Sequence, residues 1–473
     1  MLFSSTVFLY AFLPAVVFVY YVFLRKSRIL QNIFLMFASL FFYAWGEPKF
    51  VLVMILSIIA NWIFGLFVEK EKTKGKTTYA KAIIVLTVVF NISILFVFKY
   101  LSFSVNNINS IFSTNISIKN IALPIGISFF TFQAMSYVID VYRGKGTVQN
   151  SIINVGLYIS FFPQLIAGPI VRYETIADQI LNRKETIEDF FSGFTRFVFG
   201  LSKKVLLANS FGIIADRAFN CIIDGDKLSA LGAWLGAICY TLQIFYDFSG
   251  YSDMAIGLGK MFGFHFLENF EYPYVSTSIT EFWRRWHISL GTWFRDYVYI
   301  PLGGSRVKKP RMVFNLFVVW LLTGIWHGAN WTFIVWGLMY FVLLTTEKLT
   351  GFYKIDKRYI KPLFWLYSMF FVVIGWVIFR SDSISLAINY IGAMFGNKVP
   401  FSNALFVDDF KQILLYMVVG IIFSFPISKW VKKKHIQNVF YDSLYVIIVV
   451  LLFVASIASI VSSSYNPFIY FNF

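Results

Sequence analysis

Two histidines stand where an ionisable ring is expensive. His327 lies in Leu321-Leu322-Thr323-Gly324-Ile325-Trp326-His327-Gly328-Ala329-Asn330-Trp331, and His287 lies in Phe282-Trp283-Arg284-Arg285-Trp286-His287-Ile288-Ser289-Leu290. The chain has four histidines in 473 residues. Ionisable groups persist in such apolar runs mainly where they face protein or water and serve chemistry or transport. A near-neutral imidazole in a dry pocket suits a general base that takes the proton of an acceptor hydroxyl. Gly324 and Gly328 allow close backbone approach beside His327, while Trp326 and Trp331 supply rigid walls. The bland alternative is a core histidine satisfied by a neighbouring carbonyl. Two such rings in one chain weigh toward a working site inside a membrane.

The neighbouring residues suggest supporting parts. Trp283 and Arg284 precede His287 by four and three residues, so on a helix they share its face. Arg284 and Arg285 suit the phosphates of a donor such as coenzyme A; the alternative is an interfacial helix with snorkelling arginines and aromatic anchors. The block Tyr246-Asp247-Phe248-Ser249-Gly250-Tyr251-Ser252-Asp253 places two carboxylates in an apolar segment. Asp247 or Asp253 could orient a histidine, pair with Arg284, or form a structural salt bridge. Asn330 joins this supporting set, whereas Asp140 and Arg143 read as a helix-end pair. The chain has no GxSxG elbow, Walker loop or HExxH motif. Two histidines forty residues apart without a third ligand do not imply a metal, so no metal and no bound cofactor are expected.

The elements that must carry these residues are membrane helices. The sequence is 58% hydrophobic and only 14% charged, against about a quarter charged in soluble domains, and its mean hydropathy is +0.69. Roughly a dozen apolar segments of about 15–22 residues can be marked. Residues 7–23, 29–45, 50–68 and 82–98 lead, and 363–379, 414–425 and 444–460 follow. The net charge of +17 collects in short loops between apolar runs. That is the positive-inside pattern and favours anionic lipid headgroups over nucleic acid. Arg25, Lys26 and Arg28 follow the first apolar run, which reads as a retained first helix with its amino end outside. Cys221 and Cys239 allow at most one disulfide.

Pro124 and Gly126 open the segment 123–140, and Pro163, Gly168 and Pro169 interrupt 161–170. Such breaks predict short or re-entrant helices lining an internal cavity, where freed backbone groups can be covered. Basic loops at 306–311 and 354–361 bracket 312–348, so this stretch must enter the membrane and return, with His327 near the apex. The charged loop 430–435 reads as a topology signal. No soluble domain and no internal repeat are visible, so 1–473 reads as one integral membrane domain, an all-α polytopic bundle.

Five strings then resemble one family: LPIGISFFTFQAMSYVIDVYRG from Leu123, FFPQLIAGPIVR from Phe161, DFSGYSDMAIGLGKMFGF from Asp247, EFWRRWHISLGTWFRDYVYIPLGGSR from Glu281 and LLTGIWHGANWTFIVWG from Leu321. They resemble the membrane-bound O-acyltransferases, in the branch of the bacterial alginate O-acetylation membrane subunit, over a core of about 121–345. The closing Asn466-Pro467-Phe468-Ile469-Tyr470-Phe471 is similar to that branch too. The resemblance implies a many-helix bundle with a thin centre, reached by a funnel and a tunnel from opposite sides. His327 matches the family's catalytic histidine and His287 its second histidine. It implies transfer of an acyl group from a cytoplasmic thioester, acetyl-CoA, to an extracytoplasmic polysaccharide. An SGNH-type acetyltransferase partner and a cytoplasmic (inner) membrane location are implied with it. The rival inside the family is D-alanyl transfer to teichoic acid from a carrier protein. Outside it stand a transporter or flippase with Pro- and Gly-broken helices, and a structural scaffold that would tolerate substitution at His327.

Overall fold

Backbone polar groups that cannot reach water must be satisfied within their own segment, and long apolar runs therefore become helices. In the computed structural model, residues 1–119, 121–224, 228–355, 359–427, 439–463 and 465–469 are described, and among them there is no strand. The loop at 430–435 lies outside the described residues. In chain order the principal helices are α1 (Phe8–Phe23), α2 (Arg28–Ala44), α3 (Val51–Thr73), α4 (Thr77–Phe112), α5 (Ile127–Arg143) and α6 (Ile152–Ser160). The long helices α7 (Ile187–Ile223) and α8 (Ala230–Met261) follow. After them come the short α9 (Ile279–Arg285) and α10 (Ile288–Phe294). The chain continues through α11 (Lys309–His327), α12 (Trp331–Thr350), α13 (Lys361–Arg380), α14 (Ile384–Met394), α15 (Ala404–Ser424) and α16 (Val439–Ser462).

Six of the described helices are long and apolar enough to cross a membrane: α3, α4, α7, α12, α13 and Tyr441–Ser462 of α16. Helices α1, α2 and α14 are apolar but shorter. The dozen apolar segments of the sequence thus include several that fold into shorter pieces. By contacts the chain divides into two compact units, Met1–Val198 with Tyr251–Leu267, and Phe199–Gly250 with Glu268–Phe473.

In the first unit, amides tie apolar helices together. Asn61 and Asn91 exchange side-chain hydrogen bonds at 3.2 and 2.8 Å between α3 and α4. Asn32 of α2 donates to Asn154 of α6, which donates to Gln149. The breaks expected from proline and glycine are present. Gly126 starts α5 at φ +74°, and a Cβ there would meet the Leu165 carbonyl oxygen at 2.7 Å. Residues 162–165 form a single turn, after which 166–171 run as irregular backbone that is buried throughout. Asp140 accepts the Glu174 amide at 3.0 Å, while Arg143 lies exposed in the last turn of α5.

A charged cluster holds the approach to α7 in this unit. Arg28 and Tyr20 bond Glu185, and Arg183 lies 3.6 Å from it. Burial by itself raises the Glu185 carboxyl, but the hydrogen bonds from Arg28 and Tyr20 and the charges of Arg28 and Arg183 outweigh it. Its pKa lies below the ordinary glutamate value.

The second unit holds α9 to α16. Within α7, Lys203–Ala208 is wound as a π-helix, the wider geometry that accommodates one extra residue in a helix. Helices α11 and α12 form the expected hairpin and pack backbone against backbone. A Cβ on Gly324 would meet the Phe333 carbonyl oxygen at 2.5 Å, and one on Gly337 would meet that of Trp320 at 2.5 Å.

Candidate active site

His327 is the last residue of α11, at the apex of the α11–α12 hairpin. Gly328 continues in extended conformation, and a Cβ there would strike the Phe333 ring at 2.2 Å. Asn330 caps α12 by accepting the Thr332 amide at 3.2 Å and donates to the Asp382 carbonyl at 2.8 Å. The turn is therefore held from two sides, and the imidazole is fixed by it. His327 is 8% exposed, and its ring meets Trp326, Trp336 and Phe379 edge-on at 4.9, 5.0 and 5.0 Å.

His327 faces a cavity of about 410 Å³ in the second unit. Trp286, Trp336, Trp376 and Phe379 form its walls, and Asp247 is its acidic member. Phe468 and Ile469, near the carboxyl end, line it as well. Asp247 is buried and pairs with the equally buried Lys204 at 2.8 Å; its other oxygen accepts the Ile469 amide at 2.9 Å. Lys204 also bonds Asn209 at 2.9 Å and the Pro467 carbonyl. Charge at this depth is sustained only by such pairing. The carboxylate, the buried ammonium and the chain end thus form one polar knot beside an aromatic chamber.

His287 sits one ring away. It joins α9 to α10 in the left-handed conformation, φ 45°, which is rare for a residue with a side chain. The turn is built on Asn269, whose backbone carbonyl accepts the Ile288 amide at 2.9 Å. The Asn269 side-chain oxygen accepts from Ser289 and lies 3.2 Å from His287 Nδ1. An acceptor at that distance makes Nδ1 the protonated nitrogen and leaves the lone pair on Nε2, which is buried without a hydrogen bond. Trp326 touches both imidazoles, His287 at 6.0 Å and His327 at 4.9 Å, and Phe248, a cavity residue, packs on His287 at 4.6 Å.

The remaining expected residues are dispersed. Trp283 packs into Trp320, Trp336 and Tyr340 at 4.9–5.5 Å. Arg285 is committed to Glu281 at 2.8 Å and to the Glu271 carbonyl, whereas Arg284 is exposed. Asp253 lies in the other unit and pairs with Arg196 at 2.8 Å. Both carboxylates of the Asp247–Asp253 block therefore take cations from α7 and not Arg284. Among the described residues no group of His, Cys, Asp and Glu could hold a metal. Sequence reasoning missed Lys204 and Asn269. Lysines at 203 and 204 inside an apolar helix were the available signal.

Residues 147–386 match the family model described as membrane-bound O-acyltransferase, and the match contains both histidines and the cavity's aromatic walls. The chain belongs to the membrane-bound O-acyltransferase family. This O-acyltransferase is 39% identical, over the full length of both chains, to "Probable alginate O-acetylase AlgI" of Pseudomonas putida. It is 33% identical to "Peptidoglycan O-acetyltransferase" of Helicobacter pylori, over 84% of this chain and 80% of that one. It is 31% identical to "Teichoic acid D-alanyltransferase" of Bacillus subtilis, over 51% of this chain and 62% of that one. The protein is an integral membrane O-acyltransferase, and the all-α class expected from its sequence is the class observed.

Proposed function

We propose that this O-acyltransferase takes acetyl from cytoplasmic acetyl-CoA and passes it across the cytoplasmic (inner) membrane, for ester formation on an extracytoplasmic polysaccharide through an SGNH-type acetyltransferase partner. The observation that carries the reading is His327 held at a hairpin apex inside an aromatic cavity, with Asp247 in the same wall. His327 takes the proton of the attacking hydroxyl as its oxygen bonds the thioester carbonyl carbon. The carbon–sulfur bond then breaks, and coenzyme A leaves as a thiol once protonated. Trp326 and Asn330 hold the imidazole, and Asp247 keeps the chamber polar at one edge. His287, with Trp283, lies on the donor side. There Arg284, exposed and not engaged in a salt bridge, meets the donor phosphates, while Arg285 braces α9 through Glu281. The named activities of the Pseudomonas and Helicobacter relatives support acetyl and a polysaccharide.

The test is ester-linked acetate on extracellular polymer, comparing wild type with His327→Ala at equal membrane abundance. Acetate is expected to vanish while polymer export continues. Unchanged acetate refutes the role of His327, and loss of D-alanyl esters in place of acetate reassigns the donor.

A further inference from the structure

Helix α9 is seven residues long, yet it carries Trp283, Arg284 and Arg285 and leads directly into Trp286 and His287. One turn and a half cannot hold its own position, because helices this short are marginal without tertiary anchors. Its first amides, like those of any helix, have no acceptors inside the helix. Here they are met by a residue 67 positions away. Glu347, in the last turn of α12, is 0% exposed. One carboxylate oxygen accepts the Ile279 amide at 2.7 Å, and the other accepts the Thr280 amide at 2.8 Å and the Thr280 hydroxyl at 2.5 Å. The third amide, of Glu281, goes to the Ser278 hydroxyl at 3.0 Å.

We infer that Glu347 is a positioning residue for acyl transfer: its carboxylate fixes α9 on α12 and thereby sets where Trp286 and the His287 turn meet the cavity. Two oxygens on adjacent amides define both the height and the rotation of α9. From that anchor α9 runs along α12. Trp283 lodges against Trp336 and Tyr340 of α12, and Trp286 stacks near Trp376 at 4.8 Å as a cavity wall. The same α12 begins at the His327 turn, sixteen residues or about 24 Å from Glu347. One helix thus references both histidines, His327 through its first residue and His287 through its last turn. A carboxylate at the start of α9 is also favoured by the partial positive charge there.

The inference rests on the acyl-transfer reading, and its test separates the two. Purified full-length Glu347→Gln and Thr280→Val are compared with wild type by amide hydrogen exchange and by acetyl-CoA turnover. In Glu347→Gln, exchange at residues 279–287 is expected to quicken about tenfold or more, with α11 and α13 unchanged. The turnover number should fall about tenfold or more, as misplacement near an ångström produces, with KM for acetyl-CoA within about twofold. Thr280→Val, which keeps both amide bonds, should show a smaller loss in both readouts. Unchanged exchange, exchange that quickens throughout α11–α13, or faster local exchange with wild-type turnover each overturns the inference. If wild type itself turns over no acetyl-CoA, the functional reading fails, while the exchange of 279–287 still decides whether Glu347 anchors α9.

Discussion

Replacing Lys204 by Met isolates the energetics of the polar knot beside the cavity. Lys204 and Asp247 are 4% and 2% exposed at their side chains and 2.8 Å apart. Removing the ammonium leaves the buried carboxylate with the Ile469 amide, a single neutral donor. Breaking one side of a buried pair in this way costs about 3–5 kcal/mol. At about 2 °C or more per kcal/mol for a cooperative unit of this size, the thermal midpoint in detergent should drop by roughly 6 °C or more. Asp247→Asn is gentler, because Lys204 keeps Asn209 and the Pro467 carbonyl. The double replacement should destabilise less than the sum of the two, with a coupling of about 0.5–3 kcal/mol. The assay is thermal unfolding of all four proteins, monitored by monodisperse protein remaining after heating. Lys204→Met also frees the Pro467 carbonyl, so protease should cut the carboxyl end faster. A midpoint shift under about 2 °C, or strict additivity, would show that the pair is solvated and refute the reasoning.

Two other outcomes follow from geometry already described. Gly324→Ala puts a methyl 2.5 Å from the Phe333 carbonyl oxygen, and backbone cannot yield as a side chain does. Overpacking of about 1–3 kcal/mol is expected, together with loss of ester acetate in cells, because the hairpin that aims His327 must open. Glu185 has a folded pKa below its unfolded value of about 4.3. Its contribution is therefore complete above that value and is lost as pH falls through the folded pKa. Glu185→Gln should lower the thermal midpoint at pH 7 and flatten its decline between about pH 5 and 3, when both proteins are scanned across that range.

The hairpin was legible because its signals are local: basic residues at both ends, glycines at the bend, and apolar sequence between. His327 at the apex follows directly. The broken segments were legible for the same reason, since Pro163, Gly168 and Pro169 cannot continue a helix. The partners of the carboxylates were not. Asp247 meets Lys204 and Asp253 meets Arg196 across 43 and 57 positions, and helical spacing on α8 carries no information about which face of α7 it will find. Arg284 and Arg285 are adjacent and chemically alike, yet only Arg285 has Glu281 one turn behind it on the helix, and pairing separated what composition could not.

The π-wound stretch Lys203–Ala208 has a meaning for the length of the chain. Residues on a helix advance about 100° each, so the extra residue stored there turns everything beyond it by that amount. Beyond it lie Asn209, which binds the Tyr465 carbonyl at 3.2 Å, and Asp216, which accepts the Tyr465 hydroxyl at 2.6 Å. Deleting any one residue between 203 and 208 would preserve the composition of α7 and rotate both handholds away from the carboxyl end. This segment is constrained in count as well as in kind. Among homologous chains, a gap of one residue there should appear only together with a rebuilt terminus.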